Sequence, residues 1–184
     1  PQGGGAKGSA AEPFVPAGPA YAAVGFGLLP SITLPEMAGQ ICQALLFISN
    51  KYKPKRLILI GHSSGAHLSA CALTRLPYIS AALLVSGVYD LLPVRLSARN
   101  DYVRLDERLE HEYSPIRHAA KIRCPVTVAW AEHEGAEFTR QSKEFSERLK
   151  APSLVGKGLN HFEIIETLAD PASPLGAAAL KMLG

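Results

Sequence analysis

Residues Gly61-His62-Ser63-Ser64-Gly65 set a serine midway between two glycines, directly after the apolar run Leu57 to Ile60 and before the small residues Ala66, Ala70 and Cys71. A buried strand that turns sharply into a helix at such a serine is a nucleophile elbow. The turn forces the serine into a strained backbone conformation, and the two glycines leave room for neighbouring backbone to close in. Ser63 Oγ is therefore expected to stand exposed beyond the strand end. The N–H of Ser64, opening the helix, points at the same spot and supplies one donor for a developing oxyanion. Gly-x-Ser-x-Gly alone is a common pattern, and the strand before it and helix after it are what give it weight.

A nucleophilic serine needs a base and an orienting acid, which follow it along the chain in enzymes built on such an elbow. Pro125 to Ala131 reads as a buried strand, and the segment leaving it carries Glu132, Glu134 and Glu137. Glu134 precedes Gly135 and falls on the turn beyond the strand, which makes it the best-placed acid. Glu132 reads as a strand-end surface charge. Glu137 opens the next helix, where the helix dipole alone accounts for a carboxylate. In that helix Phe138, Ser142, Phe145 and Leu149 form one stripe, read as core packing. Asp90, just after an earlier strand, is the reserve acid.

Ser153 to Gly158 reads as a short last strand, followed by Leu159-Asn160-His161-Phe162. His161 lies C-terminal to every acid candidate, on a loop at a strand end where α/β sheets gather functional groups, and is the natural base. His62 and His67 flank the elbow and are assigned local hydrogen bonds or packing. His111 and His118 sit in a charged stretch and read as solvated. His133, between Glu132 and Glu134, lacks the spacing of a metal site.

The elbow through Leu68, the run Ser86-Gly87-Val88-Tyr89-Asp90-Leu91, the pair Ser114-Pro115, Glu134 with Glu137-Phe138-Thr139-Arg140-Gln141-Ser142, and Asn160-His161-Phe162 occur here in one order. Together they resemble the kynurenine formamidase (arylformamidase) branch of the α/β hydrolases, from about Tyr21 to the C-terminus. The resemblance puts the triad acid on Glu134, where relatives often carry Asp. It implies hydrolysis of N-formyl-L-kynurenine to kynurenine and formate, with neither cofactor nor metal required.

The resemblance weakens at the start of the chain. Family members carry a strand and a His-Gly-Gly-Tyr-Trp segment whose N–H groups complete the oxyanion hole, whereas this chain opens Pro1-Gln2-Gly3-Gly4-Gly5. Gly3 and Gly4 are placed at the two family glycines, with Gln2 for the histidine. Residues 1–20, mostly Gly, Ala and Pro, are expected to be irregular. In the family the strand before this segment lies inside the sheet, so an N-terminally incomplete form is expected.

The rest reads as one α/β domain over residues 1–184 with a mostly parallel sheet of about five strands. Strands are expected at Tyr21 to Phe26, Leu57 to Ile60, Ala81 to Ser86, Val126 to Trp130 and Ser153 to Gly156, alternating with helices. Thr33-Leu34-Pro35-Glu36 is a capping box opening a helix whose stripe is Met37, Ile41, Ala44, Leu45 and Ile48. Ser173-Pro174 opens the last helix. The polar stretch 91–121 reads as a helical cap beside the active site.

At 184 residues and 47% hydrophobic the chain can bury one sizeable core. A net charge of +3, with both signs interspersed, points to neither nucleic acid nor anionic membrane. Three cysteines, Cys42, Cys71 and Cys124, favour reduced thiols and a cytoplasmic location. The expected partner is a small aryl formamide or ester, with a homodimer left open. Phe26, Tyr89 and Tyr102 are the candidates for an apolar wall under its aromatic part. Two alternatives stand beside the formamidase reading: a carboxylesterase on short acyl or aryl esters, which needs the same triad, and a non-catalytic chain that keeps only the elbow.

Overall fold

The computed structural model describes residues 20–184. Four strands, β1 (Ile58–His62), β2 (Ala81–Val85), β3 (Val126–His133) and β4 (Ser153–Asn160), pair in that spatial order and all run parallel. Parallel neighbours need crossovers that cover the sheet faces. Between β1 and β2 runs α2 (Ser64–Leu73), and between β3 and β4 runs α6 (Ala136–Leu149). Ahead of β1 lies α1 (Leu34–Tyr52), and after β4 come the short α7 (Glu163–Glu166) and the closing α8 (Pro174–Leu183).

Alternation along the central strands shows the two-faced burial. Ala82, Leu84, Val126, Val128 and Trp130 point into a core shared with α1, α2 and Phe145 of α6. Leu83, Val85, Ala129 and Ala131 point into a second core with Ile164, Leu168, Leu175 and Ala179. Removing the fully buried Phe145 ring would cost about 3–5 kcal/mol.

The capping box at α1 forms as read: Glu36 N donates to Thr33 Oγ1, and Thr33 N donates to Glu36 Oε2 at 2.6 Å. Met37, Ile41 and Leu45 bury the helix's inner stripe. The stretch 91–121 is helical, with α3 (Leu92–Arg95), α4 (Asn100–Val103), α5 (Glu107–Glu112) and a 3-10 segment, Pro115–Lys121. It is also part of the core, because Leu91, Leu105, Tyr113 and Ile116 are buried in the larger cluster. Inside it the buried Glu110 carboxylate is paired by Arg95 and Arg117.

One expected strand is absent. Tyr21 to Phe26 forms no strand with the other described residues, and β1 lies at an edge of the sheet among the described residues. The segment carries Gly25, a residue that weakens a strand, and just beyond it the Gly27 N–H donates to the Gln40 side chain at 2.8 Å. Among the described residues no helix is long and apolar enough to cross a membrane.

Candidate active site

Ser63 sits between β1 and α2 with φ 54° and ψ −120°, a conformation that costs a non-glycine residue of order 1–3 kcal/mol. Its own N–H donates to Val85 O at 2.9 Å, which ties the turn to β2. Gly61 is required by contact: a Cβ there would meet Gly65 O at 2.5 Å. Gly65 is different, since a Cβ on it would meet nothing within 4 Å. Of the two glycines expected to make room for backbone, only Gly61 does so. Ser64 is the first residue of α2, so its N–H belongs to the donors that a helix start leaves without an internal acceptor.

Because the strands are parallel, the segments leaving β1, β3 and β4 meet at one end of the sheet, where Ser63, Glu134 and His161 lie. Register accounts for the closeness of the last two. Ala131 pairs with Gly156, but His133 pairs with Asn160, so β4 carries a bulge past Gly158, whose φ is +70°. Glu132 holds that bulge by accepting from Gly158 N at 2.8 Å and Lys157 Nζ at 3.1 Å. These hydrogen bonds, the Gly158 one first, keep its carboxyl below the usual range. Beyond the bulge His161 comes level with Glu134.

His161 Nδ1 donates to Glu134 Oε2 at 2.8 Å, and Glu134 Oε1 accepts from Ala131 N at 3.1 Å. The Glu134 side chain is 1% exposed and that of His161 19%. A carboxylate accepts only, so Nδ1 carries a proton, which leaves Nε2 as the lone-pair nitrogen of the neutral ring. No hydrogen bond joins Ser63 Oγ to His161 among the described residues, and such contacts commonly tighten only when substrate is bound.

Asp90 is elsewhere. It pairs with Arg117 at 3.8 Å and Arg140 at 4.0 Å and accepts from Leu92 N, so it is a structural anion at the start of α3 rather than a partner of His161. Glu137 pairs with Arg140 and accepts from Gln141 Nε2, so more than the helix dipole holds it, and the Arg140 contact keeps its carboxyl low.

Of the three residues expected to wall an aromatic substrate, Tyr89 does not, being fully buried and stacked on Phe145 at 4.2 Å. Gly87 makes its place, since a Cβ there would lie 2.5 Å from the Tyr89 ring. Phe26 is half-buried against the larger core. Tyr102 lines a cavity with Leu29, Pro30, Ile32 and Arg104, to which none of Ser63, Glu134 and His161 contributes. Gly3 and Gly4 lie outside the described residues.

Three neighbours of His161 were missed as such. His62 Nε2 donates to the His161 carbonyl at 2.8 Å, with ring centroids 4.7 Å apart. Phe138 lies 4.7 Å and Phe162 5.3 Å from the same imidazole. The signals were position next to Ser63, position on the first turn after Glu134, and adjacency to His161. His67 fits its structural reading: its Nδ1 donates to Val88 O at 2.7 Å, and burial lowers its pKa to about 4. The Cys71 thiol, pushed up to about 12 by burial, is inert. Among the described residues no group of three or more His, Cys, Asp or Glu is placed to hold a metal ion.

No family model matches the sequence. The chain is 32% identical over 196 residues to the kynurenine formamidase of Danio rerio, an alignment covering 97% of this chain and 67% of the fish protein. It is likewise 32% identical to the kynurenine formamidase of Salmo salar, with the same coverage. Among solved structures, a Silicibacter sp. protein provisionally named a thioesterase superposes with a TM-score of 0.76 at 28% identity, over 83% of this chain and 60% of that one. A thermostable carboxylesterase from a metagenomic library superposes with a TM-score of 0.63 at 16% identity, over 85% of this chain and 64% of that one, a likeness of fold.

Proposed function

The chain belongs to the kynurenine formamidase family, and from that membership we propose that it hydrolyses the formamide of N-formyl-L-kynurenine to kynurenine and formate. In this reading Ser63 is the nucleophile, His161 the base and Glu134 the residue that orients it. The observation that carries the assignment is the Nδ1–Oε2 hydrogen bond of 2.8 Å between His161 and Glu134, at the sheet end where Ser63 occupies its strained turn.

The steps balance without a further reagent. Ser63 Oγ bonds to the formyl carbon as His161 Nε2 takes its proton, and the carbonyl electrons move to oxygen, where the Ser64 N–H donates. Gly3 or Gly4 N–H is proposed as the second donor. Collapse breaks the carbon–nitrogen bond, and His161 returns its proton to the departing arylamine. Water, deprotonated by the same imidazole, then attacks the formyl ester, releasing formate and restoring Ser63.

Kinetics on N-formyl-L-kynurenine beside a matched aryl formate ester test the reading. Turnover of the formamide that disappears in Ser63→Ala supports it. Ser63-dependent cleavage of the ester with none of the formamide would replace it with an esterase.

A further inference from the structure

His161 is flanked by two phenylalanines that the hydrolytic steps do not use. Phe162 follows it in the chain and is 73% exposed. Its ring stands edge-on to the imidazole at 90° and 5.3 Å, while that of Phe138 tilts at 50° and 4.7 Å.

A single exposed aromatic is ordinarily without meaning, but this one sits on a pinned backbone. Asn160 Oδ1 accepts from Phe162 N at 2.9 Å and Glu163 N at 3.0 Å, and Glu163 Oε2 accepts in return from Asn160 N at 2.8 Å. On the other side the His161 carbonyl is held by His62. The Phe162 ring is therefore presented to solvent from a fixed position beside the candidate base.

The reaction supplies an occupant for that position. Since Glu134 takes Nδ1, the leaving nitrogen must come within about 3 Å of Nε2 to receive its proton. An aryl ring bonded directly to that nitrogen is carried into contact with the side chains around the imidazole. Aromatic rings gain from offset or edge-to-face contact beyond their buried area. Resting on the hydrolase reading above, we propose that Phe162, with Phe138 beside it, forms the leaving-group subsite, an aromatic wall that takes the aryl ring of an arylamine and gives little to an alkyl group.

Phenyl formate and ethyl formate test this, since they share the acyl group and differ in what leaves. Phe162→Ala should lower the ratio of kcat/KM for phenyl over ethyl formate by about five- to tenfold, mainly through KM. It should raise the inhibition constant of 2-aminoacetophenone by a similar factor, and Phe162→Tyr should restore both. An unchanged ratio, or an equal fall for both esters, would overturn the subsite while leaving the hydrolase intact. Absence of Ser63-dependent turnover of either ester by the unaltered chain would overturn the hydrolase reading and the subsite with it. A thermal melt of Phe162→Ala should match the parent, as expected for an exposed ring.

Discussion

His62 Nε2 donates to the backbone carbonyl of His161 across 2.8 Å, joining the residue before the elbow serine to the residue proposed as its base. The two belong to β1 and to the loop after β4, opposite edges of the described sheet. Two strands lie between them, so this side-chain contact closes the site over the strand ends.

If that contact places the base, His62→Phe should lower kcat on N-formyl-L-kynurenine by about 10- to 100-fold, the scale of a small misplacement of reacting groups. His62→Gln, which can still donate, should recover a large part. Equal losses in both variants would mean that the hydrogen bond does not position His161.

The acids separate cleanly. Glu134→Gln should lower kcat by about three to four orders of magnitude, as loss of the orienting carboxylate does in triad enzymes. Asp90→Asn, which disturbs only the pairs with Arg117 and Arg140, should leave kcat within a few-fold. The reverse ranking in steady-state kinetics would place the acid after β2.

The two elbow glycines should respond differently. Gly61→Ala forces a Cβ to 2.5 Å from Gly65 O and should destabilise by about 1–3 kcal/mol. Gly65→Ala meets nothing within 4 Å, gains helix propensity on α2, and should be neutral or stabilising by up to about 1 kcal/mol. Urea unfolding of both variants checks this.

His67 gives a pH dependence with a definite sign. Its pKa falls from 6.5 to about 4 because burial disfavours the charged ring. Below 6.5 the unfolded chain binds the proton that the folded chain refuses, so the contribution is complete above pH 6.5 and is lost as pH falls toward 4. The scale is about 3 kcal/mol, at 1.36 kcal/mol for each unit. His67→Asn, which keeps a donor toward Val88 O, should flatten the difference in unfolding free energy between pH 7.5 and pH 5. An unchanged slope would assign acid sensitivity to other groups.

What could be read from the sequence follows how local each cause is. The elbow at Ser63, the capping box at Thr33 and the apolar runs of β1 to β4 are written within a few neighbouring residues, so their elements appear as read. Tyr21 to Phe26 forms no strand with the other described residues, and Gly25 inside it is a residue that weakens one. Tyr89 looks like any loop aromatic until Gly87 and Phe145 are seen to enclose it. Phe138 fits a core stripe by spacing, yet its ring contacts His161, because the bulge at Gly158 moves that loop over the start of α6. Gln141, buried and accepting from Tyr89 N and Asp90 N through its side-chain oxygen, falls one position off the stripe of Phe138, Ser142, Phe145 and Leu149, so spacing does not single it out.

The central claim is that Ser63 is the nucleophile, and covalent capture tests it most directly. The chain is incubated with a fluorophosphonate and the modified peptide is located by mass spectrometry. The account predicts one adduct, on Ser63, absent in Ser63→Ala and slowed at least a hundredfold in His161→Ala. An adduct on Ser64 or any other serine, or labelling that survives Ser63→Ala, would contradict it.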